Sequence, residues 1–182
     1  MGAAGRYAAR VLIVLRFIGV FNAAIWLGAA VFFTFGVAPG VFSAEMKKVF
    51  PDEYTGYIGQ VLIGRYFTLH LICGFIALGH FFAEMIYAGK SFRRFTFMLL
   101  AVVLALGLLG GYFFAPKIKA LAHLKYRGTP EQRPMAAQQL KRLHAVSASG
   151  NLLSLIALVL YTWQITNPSD QMRFVGSGKF RD

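Results

Sequence analysis

The chain reads as an all-α integral membrane protein: an antiparallel four-helix bundle with a short interfacial helix after the first span. Three observations predict this. Four apolar stretches, 11–37, 57–87, 95–115 and 144–165, take up most of the 182 residues. A helix needs about 20 mostly apolar residues to cross a hydrocarbon core of roughly 30 Å. Hydrophobic residues make up 57% of the chain and mean hydropathy is +0.57, more apolar surface than a soluble domain keeps in solution. The link Ser91 to Arg94 is also so short that the spans it joins must be antiparallel neighbours.

The first span follows Arg10 and is expected to end at the break Gly36-Val37-Ala38-Pro39-Gly40, because proline lacks a backbone donor and disfavours helix in the residue before it. Val41–Phe50 reads as a short amphipathic helix at the interface, with Glu45, Lys47 and Lys48 on its wetter side, ended by Pro51-Asp52-Glu53. Span two closes at Ala88-Gly89-Lys90. Span three carries Gly107, Gly110 and Gly111, small residues that let helices approach closely in lipid. Its helix continues past Pro116 as a basic extension through Tyr126. Gly128-Thr129-Pro130 turns the chain, and a helix restarts near Pro134 and runs into span four. The tail 167–182, polar and Gly-containing, reads as irregular. Four spans with short links leave room for a single domain, 1–182.

The net charge of +12 raises the question of nucleic acid. The Lys and Arg lie at helix ends and in loops, where basic residues meet lipid head groups. No aromatic-interleaved basic face accompanies them, and Gly176-Ser177-Gly178-Lys179 lacks the spacing of a phosphate loop. Nucleic acid is therefore not an expected partner; the bilayer is, together with other membrane subunits or a second copy. The first apolar run is too long for a signal-peptide core of about 7–15 residues and is expected to be a retained span. The single cysteine, Cys73, allows no internal disulfide. The basic residues on the two sides tie, so the positive-inside rule gives no orientation.

Function must lie where polar groups sit inside the spans. At 100° per residue, Tyr66, His70, Cys73, Ala77, His80 and Glu84 share one arc of span two. Such groups are costly against lipid, so the stripe should face the bundle interior or a wet cavity. Span four repeats the arrangement with His144, Ser147, Asn151, Leu158 and Thr162, with Ser154 at the edge. Two facing polar stripes make either a cofactor cavity or interhelical hydrogen bonds.

Antiparallel geometry sorts these groups by depth. Arg16 lies level with Glu84, and an intramembrane pair would explain both charges. Asn22 and Trp26 sit deeper on that side and join the expected buried network of Arg16, Asn22, Trp26, Glu84, His144, Ser147 and Asn151. His144 is expected to donate to a carbonyl freed where span one or three ends. At the opposite interface Arg65, Lys117 and Arg142 form a basic cluster, suited to an anionic head group or to ordinary snorkelling. His70 and His80 are the candidate axial ligands for a haem or chlorophyll. Two-histidine ligation is disfavoured because His70 lies deeper than His144, and His80 with Glu84 gives two ligands where a metal wants a third. No metal site, no catalytic constellation and no assigned cofactor follow from the residues.

The run Trp26-Leu27-Gly28 through Val31-Phe32-Phe33-Thr34-Phe35-Gly36-Val37-Ala38-Pro39-Gly40-Val41-Phe42 is followed by Lys48-Val49-Phe50-Pro51. Later come Ala115-Pro116-Lys117-Ile118 and Leu143-His144-Ala145-Val146-Ser147 with Asn151. Together these resemble the family of unknown function that includes transmembrane protein 205, over about Val11 to Thr166. The resemblance implies a four-span membrane protein without an assigned reaction, some of whose relatives are linked to metal-drug tolerance or transport. A looser likeness runs to HemJ-type protoporphyrinogen oxidases and the copper-resistance D family, which share an aromatic-rich first span ending at proline. The HemJ-type haem histidine would fall about two turns before the tryptophan. Here Phe17-Ile18-Gly19 stands there, which argues against haem-dependent oxidase chemistry.

The expectation is therefore a non-enzymatic, multi-pass protein of a bacterial-type inner membrane, acting as an accessory or structural subunit or a small binding protein. Its 18 Phe suit lipid- or partner-facing surfaces. The alternative is a transporter, or a haem- or metal-dependent redox protein, centred on the polar stripe of span two.

Overall fold

Helix fills almost all of the chain in the computed structural model, which describes residues 3–88 and 92–167. The tail beyond Asn167 and the Gly89–Ser91 link lie outside the described residues, as does the tail's glycine-rich tetrapeptide. Helix α1 spans Ala3–Phe32, α2 Ala38–Val41, α3 Ala44–Val49, α4 Asp52–Ala88, α5 Arg94–Leu108, α6 Ala115–Arg127 and α7 Gln132–Thr166. Two π-helical turns, Phe33–Val37 and Leu109–Phe114, join α1 to α2 and α5 to α6. Among the described residues four helical stretches are long and apolar enough to cross a membrane, and together they define a multi-pass membrane protein.

The π turns correct the expected break at Gly36–Gly40. Each precedes an Ala-Pro step, and each is closed by that alanine: Ala38 N–H donates to Phe33 O and Ala115 N–H to Gly110 O. Proline's ring clashes with the carbonyl four residues back and its nitrogen donates nothing. Widening the register by one residue moves that carbonyl away, so the helix survives the proline with a bulge instead of stopping.

Local chemistry sets the other ends. Ser43 caps α3, its Oγ accepting the Met46 N–H at 3.3 Å. Asp52 and Glu53 stand in the first turn of α4, where the helix dipole favours anions. Gly128 ends α6: a β-carbon there would sit 2.4 Å from Leu124 O, so only glycine fits the exit. Pro134 falls in the first turn of α7, where no intrahelical donor is lost.

The spanning segments form a closed antiparallel ring in which α1 packs on α4, α4 on α5, α5 on α7 and α7 on α1. At its centre Trp26, Leu100, Val103 and Leu158 are essentially inaccessible. Alanines 23, 30, 77 and 157 bring the backbones close around them. A second, smaller cluster of Ile118, Leu121, Ala122 and Leu140 zips α6 against the first half of α7. Outside, Phe17, Phe32, Phe35, Phe75, Phe113 and Trp163 are exposed on the lipid side.

Candidate functional site

Two polar networks cross the bundle at different depths, and they do different things. The deeper one holds Trp26, His70 and Val103. The Trp26 indole N–H donates to His70 Nδ1 at 3.1 Å, which leaves the proton on Nε2, and Nε2 donates to Val103 O at 3.1 Å. Gly107 makes room for the ring, since a β-carbon there would lie 2.5 Å from His70 Cδ2. Asn22 Nδ2 donates to Cys73 O at 2.9 Å in the next layer. These bonds tie α1, α4 and α5 together and occupy both ring nitrogens of His70.

The second network lies one to two turns nearer the prolines. Tyr66 OH donates to Asn151 Oδ1 at 3.2 Å, Asn151 Nδ2 to Thr34 Oγ1 at 2.7 Å, and Thr34 Oγ1 to Ala30 O at 2.6 Å. Phe33 stacks on Tyr66, ring centroids 4.4 Å apart. All donors run towards a helix carbonyl, and α4, α7 and the first π turn are joined.

Around this second network and outward from it the helices enclose a space. A cavity of about 780 Å³ extends from His70 and Ser154 outward to Lys47, Asp52 and Tyr126. Both π turns contribute to its wall through Thr34, Val37, Gly110 and Phe114. The polar stripe of span four runs up one side as Ser154, Asn151, Ser147, His144 and Lys141, all facing the cavity at three- and four-residue intervals. Gln60 of α4 faces it from across. Among the described residues, neither Gln60 nor His144 makes a side-chain hydrogen bond, so both can serve a ligand. Most of the remaining wall is aliphatic or aromatic.

The outer mouth is held by two side-chain contacts between the α6 end and the α4 start. Tyr126 OH donates to Asp52 O at 3.1 Å and Arg127 Nε pairs with Glu53 at 3.0 Å. Lys125 Nζ donates to Tyr126 OH at 3.0 Å and lies over that ring.

The expected site residues divide accordingly. Asn22, Trp26, His70 and His80 are buried, His80 against Gly19 of α1, whose added β-carbon would meet its ring at 2.5 Å. Glu84 is half-buried, whereas Arg16 is exposed, and the two form no ion pair. Equal depth sets height and leaves the direction around each helix free. His144 lines the cavity but reaches no freed carbonyl, because the helices do not stop at the prolines. Arg65, Lys117 and Arg142 are exposed and outside the cavity wall, with Lys117 lying 5.7 Å over the Phe113 ring. The cations that do line the cavity are Lys47, Lys125 and Lys141, of which the sequence singles out only Lys47, for the wet side of the interfacial helix. Lys141, one turn before His144 on the same face of α7, could have been added from the helical period. No group of three His, Cys, Asp or Glu side chains able to hold a metal ion occurs among the described residues.

Fold and cavity together define a multi-pass helical membrane protein with an interhelical cavity opening at one end. The family described as a domain of unknown function (DUF4149) matches residues 21–127, more than half of the chain, and the protein belongs to that family. Neither a curated protein nor a solved structure matches the chain.

Proposed function

We propose that the protein is a non-enzymatic small binding protein of a bacterial inner membrane, acting as an accessory subunit beside other membrane proteins or a second copy. The observation that carries this reading is the cavity itself. Its volume falls in the range of about 300–1,000 Å³ typical of small-molecule sites, and its wall joins apolar surface to a few convergent polar groups: Gln60, His144, Ser147 and Asn151. The floor favours binding over passage, since Trp26 and Leu158 beneath it are 0% exposed. The span-two stripe supports the same reading over redox chemistry, because His70 spends both ring nitrogens on helix-to-helix bonds. Exposed phenylalanines around the outside offer surfaces for neighbouring helices. Narrower kinship with the family that includes transmembrane protein 205 belongs to this proposal too, resting on the two Ala-Pro exits and Leu143 to Ser147.

Native mass spectrometry of the protein, extracted in a mild neutral detergent, tests the reading. We expect a bound small molecule of defined mass, lost from a Ser147→Trp variant that keeps its helical content and melting temperature. A bare wild-type chain, or an adduct equally retained by that variant, would overturn it.

A further inference from the structure

We infer that the cavity takes a single-chain anionic amphiphile, an acyl chain ending in a carboxylate or phosphate, with the head among Lys47, Lys125 and Lys141 and the chain directed toward Tyr66 and His70. This rests on the binding reading above and names its ligand class.

Charge and shape point the same way. Lys47 of α3, Lys125 of α6 and Lys141 of α7 reach the outer part of the wall from three separate elements, with His144 just below them. Among the described residues Asp52 is the one acidic side chain in that wall, and it stands in the first turn of α4, where the helix dipole offsets its charge. Lys125 is oriented by the Tyr126 hydroxyl at 3.0 Å. Three ammonium groups against one carboxylate leave the mouth positive where it meets the membrane interface, the depth at which a lipid-like anion carries its head.

The inner part of the cavity is apolar, walled by Phe33, Val37, Ile63, Phe67, Leu106 and Leu109. Along α4 the cavity runs from Asp52 to His70, 18 residues or about 27 Å at 1.5 Å per residue, so its 780 Å³ is drawn out along the helix. That elongated shape suits one extended acyl chain, with the two-chain lipids of the bilayer as the competing occupants. Gln60 and Ser147 lie between the two regions, placed to hydrogen-bond an ester or glycerol oxygen just below the head.

The test uses the full chain in neutral detergent and four probes: palmitate, palmitoyl lysophosphatidate, neutral monopalmitoylglycerol and a two-chain phosphatidylglycerol. Binding is read by native mass spectrometry and by equilibrium competition. Palmitate, lysophosphatidate or both should bind at least about tenfold tighter than the neutral ester, a difference of about 1.4 kcal/mol. Whichever binds more tightly identifies carboxylate or phosphate as the physiological head. The combined Lys47→Gln, Lys125→Gln, Lys141→Gln variant should lose that preference while still taking the neutral ester, and its retained binding certifies its fold. Ser147→Trp should block all single-chain probes.

Equal binding of charged and neutral probes, or tightest binding of the two-chain lipid, would overturn this inference while leaving a binding protein. Charge preference that survives loss of all three lysines would also overturn it. Failure of every probe to bind would overturn this inference alone, and an extracted protein without an adduct would overturn the binding reading itself.

Discussion

The two halves of the bundle are built from the same four helices and behave oppositely. Around Trp26 the backbones are drawn together by glycine and alanine. A β-carbon at Gly74 would come 2.4 Å from Leu104, and one at Gly107 would meet His70 at 2.5 Å. Towards the prolines, where the two π turns stand, the same helices surround about 780 Å³ of space. In lipid there is little hydrophobic drive between helices, so close packing of small residues decides where a bundle is solid. The contrast teaches that polar residues inside spans do two jobs here: below, they stitch helices packed without a gap; above, they also line the space between helices.

Substitutions should separate the halves by size of effect. The largest loss is expected from Gly74→Val or Gly107→Val, which drive a branched side chain into Leu104 or the His70 ring. Overpacking of this kind costs about 1–3 kcal/mol or more, and melting in detergent should show both variants unfolding well below wild type. Next comes His70→Leu, which strands the Trp26 N–H. Interhelical hydrogen bonds in membranes average about 0.6 kcal/mol with a maximum near 1.7, so its penalty should be clear but smaller than that of the glycine variants. If His70→Leu proves the worse, hydrogen bonding and not packing holds the core. The smallest effect is expected from Arg127→Ala. Its pair with Glu53 is exposed, 68% and 45% for the two side chains, and exposed pairs contribute about 0–1 kcal/mol. That variant should melt almost as wild type, and any change it causes should appear in ligand release at the mouth.

Much of this contrast was legible in the sequence, though unevenly. Hydropathy placed the four spans, and the 100° period correctly turned Tyr66, His70, Cys73, Ala77 and His80 inward, because a regular helix converts spacing into direction. The basic continuation of span three through Tyr126 was legible for the same reason. The prolines misled. A lone Pro39 looks like a stop, and only the matching Ala115-Pro116 step suggests a recurring bulge. The expected Arg16–Glu84 pair illustrates a second limit, since depth along an antiparallel bundle follows from residue counting while reach around it depends on packing. The cavity was the least legible feature. Its wall is assembled from α2 to α7 and both π turns, far apart in sequence, and no local pattern of Lys47, Lys125 and Lys141 announces that three distant cations will share one mouth.

Thiol accessibility compares the two halves within one molecule. In a Cys73→Ala background, single cysteines at Ser147→Cys and Leu158→Cys probe the cavity wall and the closed core on the same helix. Wild-type Cys73, buried at 3% exposure, should itself stay unlabelled until the protein is denatured. A small water-soluble maleimide should label the Ser147→Cys protein rapidly in its folded state, and palmitate or lysophosphatidate should slow that labelling. The Leu158→Cys protein should remain unlabelled throughout. Equal protection of both positions in the folded protein, or faster labelling at 158 than at 147, would contradict an open half set above a closed one.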